Sequence, residues 1–277
     1  MDAIYKNMLA RVKLVLMDID GTLVPGKGVP MLAEHWSAIK NIADTENNIA
    51  IGLNTGRSIE YAARFSELLG TNGIIIGESG GTVYSCRDGS FTYLIDKGKL
   101  ESLARASSVL DKYVEGAQGA KEQKKTMLSY RPPEGKTTGA FSGELRATLA
   151  AHDQSLLENL EITYSKSAID ITCKGTNKGN VLYHVANMLD IDIENMLFIG
   201  DDANDLPAFQ VVAWNDGICM APANASLEVR EYFDALKSQG KPAYISSRES
   251  TAGVLEILTS LHEINLDRAE RKSMMKT

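Results

Sequence analysis

Short runs of consecutive apolar residues, each stopping at a polar cluster, mark both ends of the chain. Leu14-Val15-Leu16-Met17 halts at Asp18, and Ile49-Ala50-Ile51-Gly52-Leu53 halts at Asn54-Thr55. Ile74-Ile75-Ile76 ends in glycine, and Met196-Leu197-Phe198-Ile199 ends in Gly200-Asp201. Apolar runs without alternation suit strands buried on both faces. Between them, 31–43, 58–69 and 178–189 read as helices; Ile59, Ala62, Phe65 and Leu69 fall on one face of the second. Gly217-Ile218-Cys219-Met220 and Ala243-Tyr244-Ile245 predict further short strands, and 253–261 the last core helix. This alternation predicts an α/β fold: a Rossmann-like parallel sheet covered by helices on both faces.

The rhythm changes in the middle. Segments 82–84 and 91–95, joined by Arg87-Asp88-Gly89-Ser90, predict a hairpin. Helices are expected over 100–113 and 145–160. A strand with one wet face is expected over 126–130, and an antiparallel pair over 161–164 and 168–172. Residues 82–174 therefore read as an inserted α+β cap domain, leaving 1–81 and 175–277 as a discontinuous core. The charged tail from His262 reads as loosely packed or as a solvated helix.

The composition, 44% hydrophobic and 23% charged over 277 residues, is that of a globular chain that builds its core without disulfides. A net charge of -7 argues against a nucleic-acid partner. It leaves room for an anionic substrate, because a bound cation reverses the local field. Cys86, Cys173 and Cys219 are far apart and form no CxxC pair, so zinc and redox motifs are not expected. No apolar run approaches the roughly 18 residues of a membrane span, and the N-terminus lacks a signal-peptide pattern. The expectation is a cytoplasmic protein, monomer or homodimer, with no membrane partner. Gly77-Glu78-Ser79-Gly80-Gly81 lacks the ending of a P-loop, and His262-Glu263 has no second histidine at zinc-protease spacing.

Parallel strands present their C-terminal ends on one edge of the sheet, where such folds bind ligands. Asp18 and Asp20, Asn54 and Thr55, and Asp201, Asp202, Asn204 and Asp205 can therefore meet. Any one cluster alone equally suits a turn or a helix cap. Together they gather carboxylates, which requires a cation or protons as compensation. Oxygen ligands without histidine or thiolate favour a hard ion such as magnesium.

These motifs resemble those of haloacid dehalogenase-superfamily phosphatases with a large α/β cap, among them archaeal-type phosphoglycolate phosphatases and sugar-phosphate phosphatases. The first is Asp18-Ile19-Asp20-Gly21-Thr22, the second Asn54-Thr55-Gly56-Arg57, the third Lys178, and the fourth Gly200-Asp201-Asp202-Ala203-Asn204-Asp205. The resemblance implies Mg2+-dependent hydrolysis of a small phosphorylated metabolite, phosphoglycolate or a sugar phosphate. Asp18 would be the nucleophile and Asp20 the acid and base. Thr55, Gly56 and Lys178 would hold phosphate. Asp18, Asp20 (through its carbonyl), Asp201 and Asp205 would surround the metal, with Asp205 as ligand or as anchor for Lys178. Asn204 would stand behind the ligands, and Thr22 would shape the loop. Arg57 is a possible specificity contact or a brace for its loop. In the cap, Arg131 is a possible specificity contact, as are Lys124, Lys125 and Ser129; a solvated basic edge is the other reading of these residues. The resemblance also admits a phosphotransferase or mutase using Asp18, and a non-catalytic phosphate-binding protein. Glu78-Ser79-Gly80-Gly81 departs mildly from relatives that carry Asn-Gly there.

Overall fold

The computed structural model describes residues 3–26, 28–46, 48–165 and 168–274. The chain runs α1 (Ala3–Leu9), β1 (Leu14–Met17), α2 (Ala33–Thr45), β2 (Ala50–Asn54), α3 (Ile59–Leu69) and β3 (Ile74–Gly77), then β4 (Thr82–Ser85) and β5 (Phe91–Tyr93). The insert comes next as α4 (Lys97–Gly116), β6 (Ala120–Glu122), β7 (Met127–Arg131), α5 (Thr138–Asp153), α6 (Leu156–Asn159), β8 (Leu160–Tyr164) and β9 (Ile169–Cys173). The chain then returns through α7 (Val181–Leu189), β10 (Met196–Ile199), α8 (Leu206–Trp214), β11 (Ile218–Ala221), α9 (Leu227–Ser238), β12 (Ala243–Ile245) and α10 (Ser250–Met274).

An 8-stranded sheet has the order β12-β11-β10-β1-β2-β3-β4-β5. From β12 to β3 every pairing is parallel; β4 and β5 add antiparallel. Along β1, Val15 and Met17 pack with α2, α3 and α10 on one face, while Leu14 and Leu16 pack with α7, α8 and α9 on the other. Burial on both faces is why β1 reads as an unbroken apolar run. The strand order reverses at β1, since the chain moves outward to β2 and β3 and later returns on the opposite side with β10. Such a reversal opens a crevice beyond the strand ends.

The insert forms a 4-stranded antiparallel sheet, β6-β7-β9-β8, with its own core. Leu128, Tyr130, Ile169 and Ile171 face α4 and α5 there. Alternation turns Ser129, Asp170 and Thr172 to the opposite face of that sheet. The face of β7 expected to be wet is covered, because Ser129 is buried.

Local readings differ from the structure at several points. The hairpin 82–95, expected in the insert, pairs with β3 and extends the core sheet. One expected helix over 145–160 is two, starting earlier and giving way to β8 at Leu160. The tail from His262 continues α10 to Met274, and the last three residues lie outside the described ones. No described helix is long and apolar enough to cross a membrane.

Candidate active site

Asp18 directly follows β1, and its amide donates to Ile199 O on β10 at 2.9 Å, which fixes the start of the loop. Lys178, on the segment leading into α7, lies between two carboxylates: Nζ is 2.9 Å from Asp18 Oδ1 and 2.7 Å from Asp205 Oδ1. Its side chain is 1% exposed. A lysine so placed is a permanent counter-charge, since its ammonium meets two fixed carboxylate acceptors in a low-dielectric setting. Burial alone lowers its pKa, but the charges of Asp18 and Asp205 outweigh that and raise it. Asn54 supports this arrangement by donating from Nδ2 to Lys178 O at 2.9 Å.

Asp205 has both oxygens engaged. Oδ1 takes Lys178, and Oδ2 accepts the amides of Asp201 at 2.9 Å and Asp202 at 3.1 Å. Asp201 is aimed by Thr22, whose hydroxyl donates to its Oδ1 at 2.7 Å. The turn that delivers Thr22 requires Gly21, which has φ +87° and lies so near that a Cβ would stand 2.1 Å from Asp201 Oδ2. Asn224, on the loop after β11, braces this turn by donating to Gly21 O at 2.8 Å and accepting from Ser250 N at 2.6 Å.

Oxygen atoms of Asp18, Asp201 and Asp205 lie within 4.8 Å of one another, all buried. Burial is the largest cause raising Asp18 to about 7, with the Asp205 charge adding and Lys178 opposing. Asp201 rises to about 8, again through burial first, then the charges of Asp205 and Asp18. One lysine does not balance three carboxylates. An oxygen-only donor set with excess negative charge fits a hard divalent cation.

Asp20 lies on the cavity side and is bound bidentately by Arg57, Nε at 2.6 Å and Nη2 at 2.5 Å. Burial lowers the Arg57 pKa, but Asp20 more than compensates and the net shift is upward. Arg57 also lies over the Tyr61 ring at 4.8 Å and within 4.0 Å of Glu122 from the cap. Its guanidinium is thus committed to Asp20.

Above these groups is a cavity of ≈ 410 Å³. Asp18, Asp20, Thr55, Gly56, Arg57 and Asp201 line its floor. Glu122, Lys124, Ser129, Ser165 and Asp170 line its roof. Lys178 and Asp205 lie behind the floor in contact with Asp18 and Asp201. Of the expected cap contacts, Lys124 and Ser129 reach the cavity. Arg131 does not: its side chain is 47% exposed and turns to Glu122 at 3.9 Å, outside the lining. Lys125 pairs with Glu60 on α3. Asp170 and Asn224 carried no expectation. Asp170 had a weak signal, one acidic residue in the apolar run Ile169-Asp170-Ile171; Asn224 had none.

The cap is tied down by Glu78, fully buried at the end of β3 with φ +52°. Its Oε2 accepts Lys125 N at 3.0 Å, Thr126 N at 2.6 Å and Thr126 Oγ1 at 2.6 Å.

Fold and site together define a phosphatase of the haloacid dehalogenase superfamily. Residues 11–262 match the profile of the family described as sucrose-6F-phosphate phosphohydrolase. The chain belongs to that family. It is 29% identical over 223 residues to the phosphoglycolate phosphatase of Methanosarcina mazei, a match that covers 79% of this chain and 87% of the relative. A solved Thermoplasma acidophilum protein superposes with TM-score 0.67 at 18% identity, over 91% of this chain and 99% of that one. The sucrose-phosphatase of Synechocystis, solved with sucrose and phosphate, gives TM-score 0.63 at 18% identity, over 90% and 97%. At these identities the structural likeness is one of fold.

Proposed function

We propose that the protein hydrolyses a small phosphate monoester, phosphoglycolate or a sugar phosphate, through an aspartyl-phosphate on Asp18. The supporting observation is the placement of Asp18: at the cavity floor, paired to a buried lysine, with Asp20 beside it. In the first step an Asp18 oxygen bonds to phosphorus while the bond to the ester oxygen breaks. Asp20, once it exchanges its Arg57 contact for the ester oxygen and carries a proton, donates that proton to the departing alcohol. In the second step water attacks the same phosphorus, gives its proton to Asp20, and the Asp18–phosphorus bond breaks. Lys178 opposes the burial that raises Asp18 and offsets phosphate charge, while Thr55 and Gly56 hold the phosphoryl oxygens. Magnesium, when bound, would neutralise charge between Asp18 and the phosphate. Asp18, Asp201 and the Asp20 carbonyl would hold it; with both oxygens occupied, Asp205 serves as the anchor of Lys178. Residues 97–174 act as the cap that covers the cavity and excludes water.

The test is phosphate release from a panel of small esters, with and without magnesium, for wild type and Asp18→Asn. Magnesium-dependent release lost in the variant is the expected result. Wild-type turnover by Asp18→Asn would refute the nucleophile, and phosphate transfer only when a sugar acceptor is added would favour the phosphotransferase reading.

A further inference from the structure

The loop that follows β11 touches both acid-bearing turns and belongs to neither. Asn224 donates from Nδ2 to Gly21 O at 2.8 Å, and nearby the Ser226 amide donates to Asp201 O at 2.8 Å. The start of α10 holds this region in turn. Ser250 N donates to Asn224 Oδ1 at 2.6 Å, and Thr251 Oγ1 donates to Leu23 O at 2.6 Å. The partners fix which way the Asn224 amide faces, because a carbonyl only accepts and a main-chain N–H only donates. Ser250 takes φ +45°, a conformation that residues with a side chain seldom adopt and that persists where the surroundings impose it. Ser250 and Thr251 are both buried. Asn224 lines the cavity, yet both of its polar atoms are engaged by the protein itself.

What Asn224 holds is the turn after Asp20. Gly21 N donates to Val24 O at 2.7 Å. In a trans peptide the C=O and the N–H of one plane point in opposite directions, so the Asp20 carbonyl is turned away from Val24. The next peptide carries the Gly21 carbonyl, and Asn224 anchors it. Glycine has more rotational freedom than any other residue, and Gly21 sits at φ +87°. Pinning the peptides on both of its sides gives the turn one shape. That shape sets the direction of the Asp20 carbonyl on one side and the reach of Thr22 Oγ1 to Asp201 on the other. We infer that Asn224 is a positioning residue for the divalent cation. It holds the Asp20–Thr22 turn, while Ser226 holds the Asp201 loop, in the arrangement that binds the ion. This rests on the reading of Asp18, Asp201 and the Asp20 carbonyl as the ligands of that ion. It gives a role to a polar residue of the cavity wall that the proposed chemistry does not use.

Removing an outer contact that orients a metal ligand weakens metal binding by about 10- to 100-fold. The decisive measurement is calorimetric titration of the folded, full-length protein with magnesium chloride. Binding to folded molecules does not register a loss of folding stability alone, so a merely structural role would leave it unmoved. Asn224→Leu, close in shape and without polar atoms, should bind magnesium at least about tenfold more weakly than wild type. Asn224→Asp keeps the acceptor for Ser250 N and gives up only the donor to Gly21. It should also bind at least about tenfold more weakly, although its added negative charge by itself would draw the cation in. Should Asn224→Leu not fold, Asn224→Asp decides alone. Wild-type affinity in both variants overturns the inference. Wild-type affinity in Asn224→Asp alone overturns it too, because the effect would then lie with the Ser250 contact. If the wild-type protein itself takes up no magnesium, the inference falls together with the ligand assignment, and the wild-type titration tells that failure from the others.

Discussion

Deprived of a divalent cation, this protein should lose stability as pH rises. Asp18 at about 7 and Asp201 at about 8 both lie above their ordinary 3.8, chiefly because burial penalises the charged form. The fold therefore favours the protonated carboxyl. That contribution is complete below the unfolded value and disappears as pH climbs through the folded one. Between about pH 5 and pH 8 the folded Asp18 keeps its proton for roughly 2 units over which the unfolded chain has lost it. At about 1.4 kcal/mol per unit this is about 3 kcal/mol. Asp18 and Asp201 titrate together, so one such loss, and not two, is the expected size. Urea denaturation followed by far-UV circular dichroism, at both pH values in EDTA and in magnesium, measures it. Magnesium competes with protons for the same oxygens, so it should stabilise more at the higher pH. Equal stability at the two pH values in EDTA, with the same slope in Asp201→Asn, would refute the reasoning.

Other variants probe single contacts. Lys178→Met strands Asp18 and Asp205 without their cation; unfolding should be easier by about 3 kcal/mol or more, with turnover down at least about 1000-fold. Gly21→Ala forces a Cβ onto Asp201 at a positive φ, so magnesium affinity measured by calorimetry should fall at least about tenfold in a folded protein. Glu78→Ala leaves three cap donors without an acceptor and should cost about 3 kcal/mol by thermal denaturation. Arg131→Ala should leave KM within about twofold, since the side chain lies outside the cavity lining.

The cavity floor was legible because buried parallel strands announce themselves as unbroken apolar runs, and the residues just after each run must lie on the shared edge. Asp18, Thr55 and Asp201 needed only that rule. The hairpin was misplaced because its alternation shows that it pairs, not with which sheet. Helix α8 (Leu206–Trp214) is absent from the expected elements; it is apolar nearly all round, and without a polar face it has no helical period to detect. Helix α9 is absent too, but no physical limit hides it: Val229, Phe233 and Leu236 have helical spacing. Asp170 could not be placed, since its meeting with Ser129 depends on a register between strands about 40 residues apart. Arg57 shows the complementary limit. Its presence in the motif was plain, but only coordinates reveal that it holds Asp20.

The two sheets divide labour along the chain. The groups assigned to phosphorus come from 18–57 and 178–205, and the roof over the cavity comes from 122–170. These stretches do not overlap. Substitutions that retune which alcohol is admitted can therefore accumulate without touching the residues that cleave its ester, and the reverse holds as well. Glu78 limits that independence, because any replacement roof must still offer two amides and a hydroxyl to its carboxylate. Diversification of such a lineage would thus be quick in what it recognises and slow in what it does.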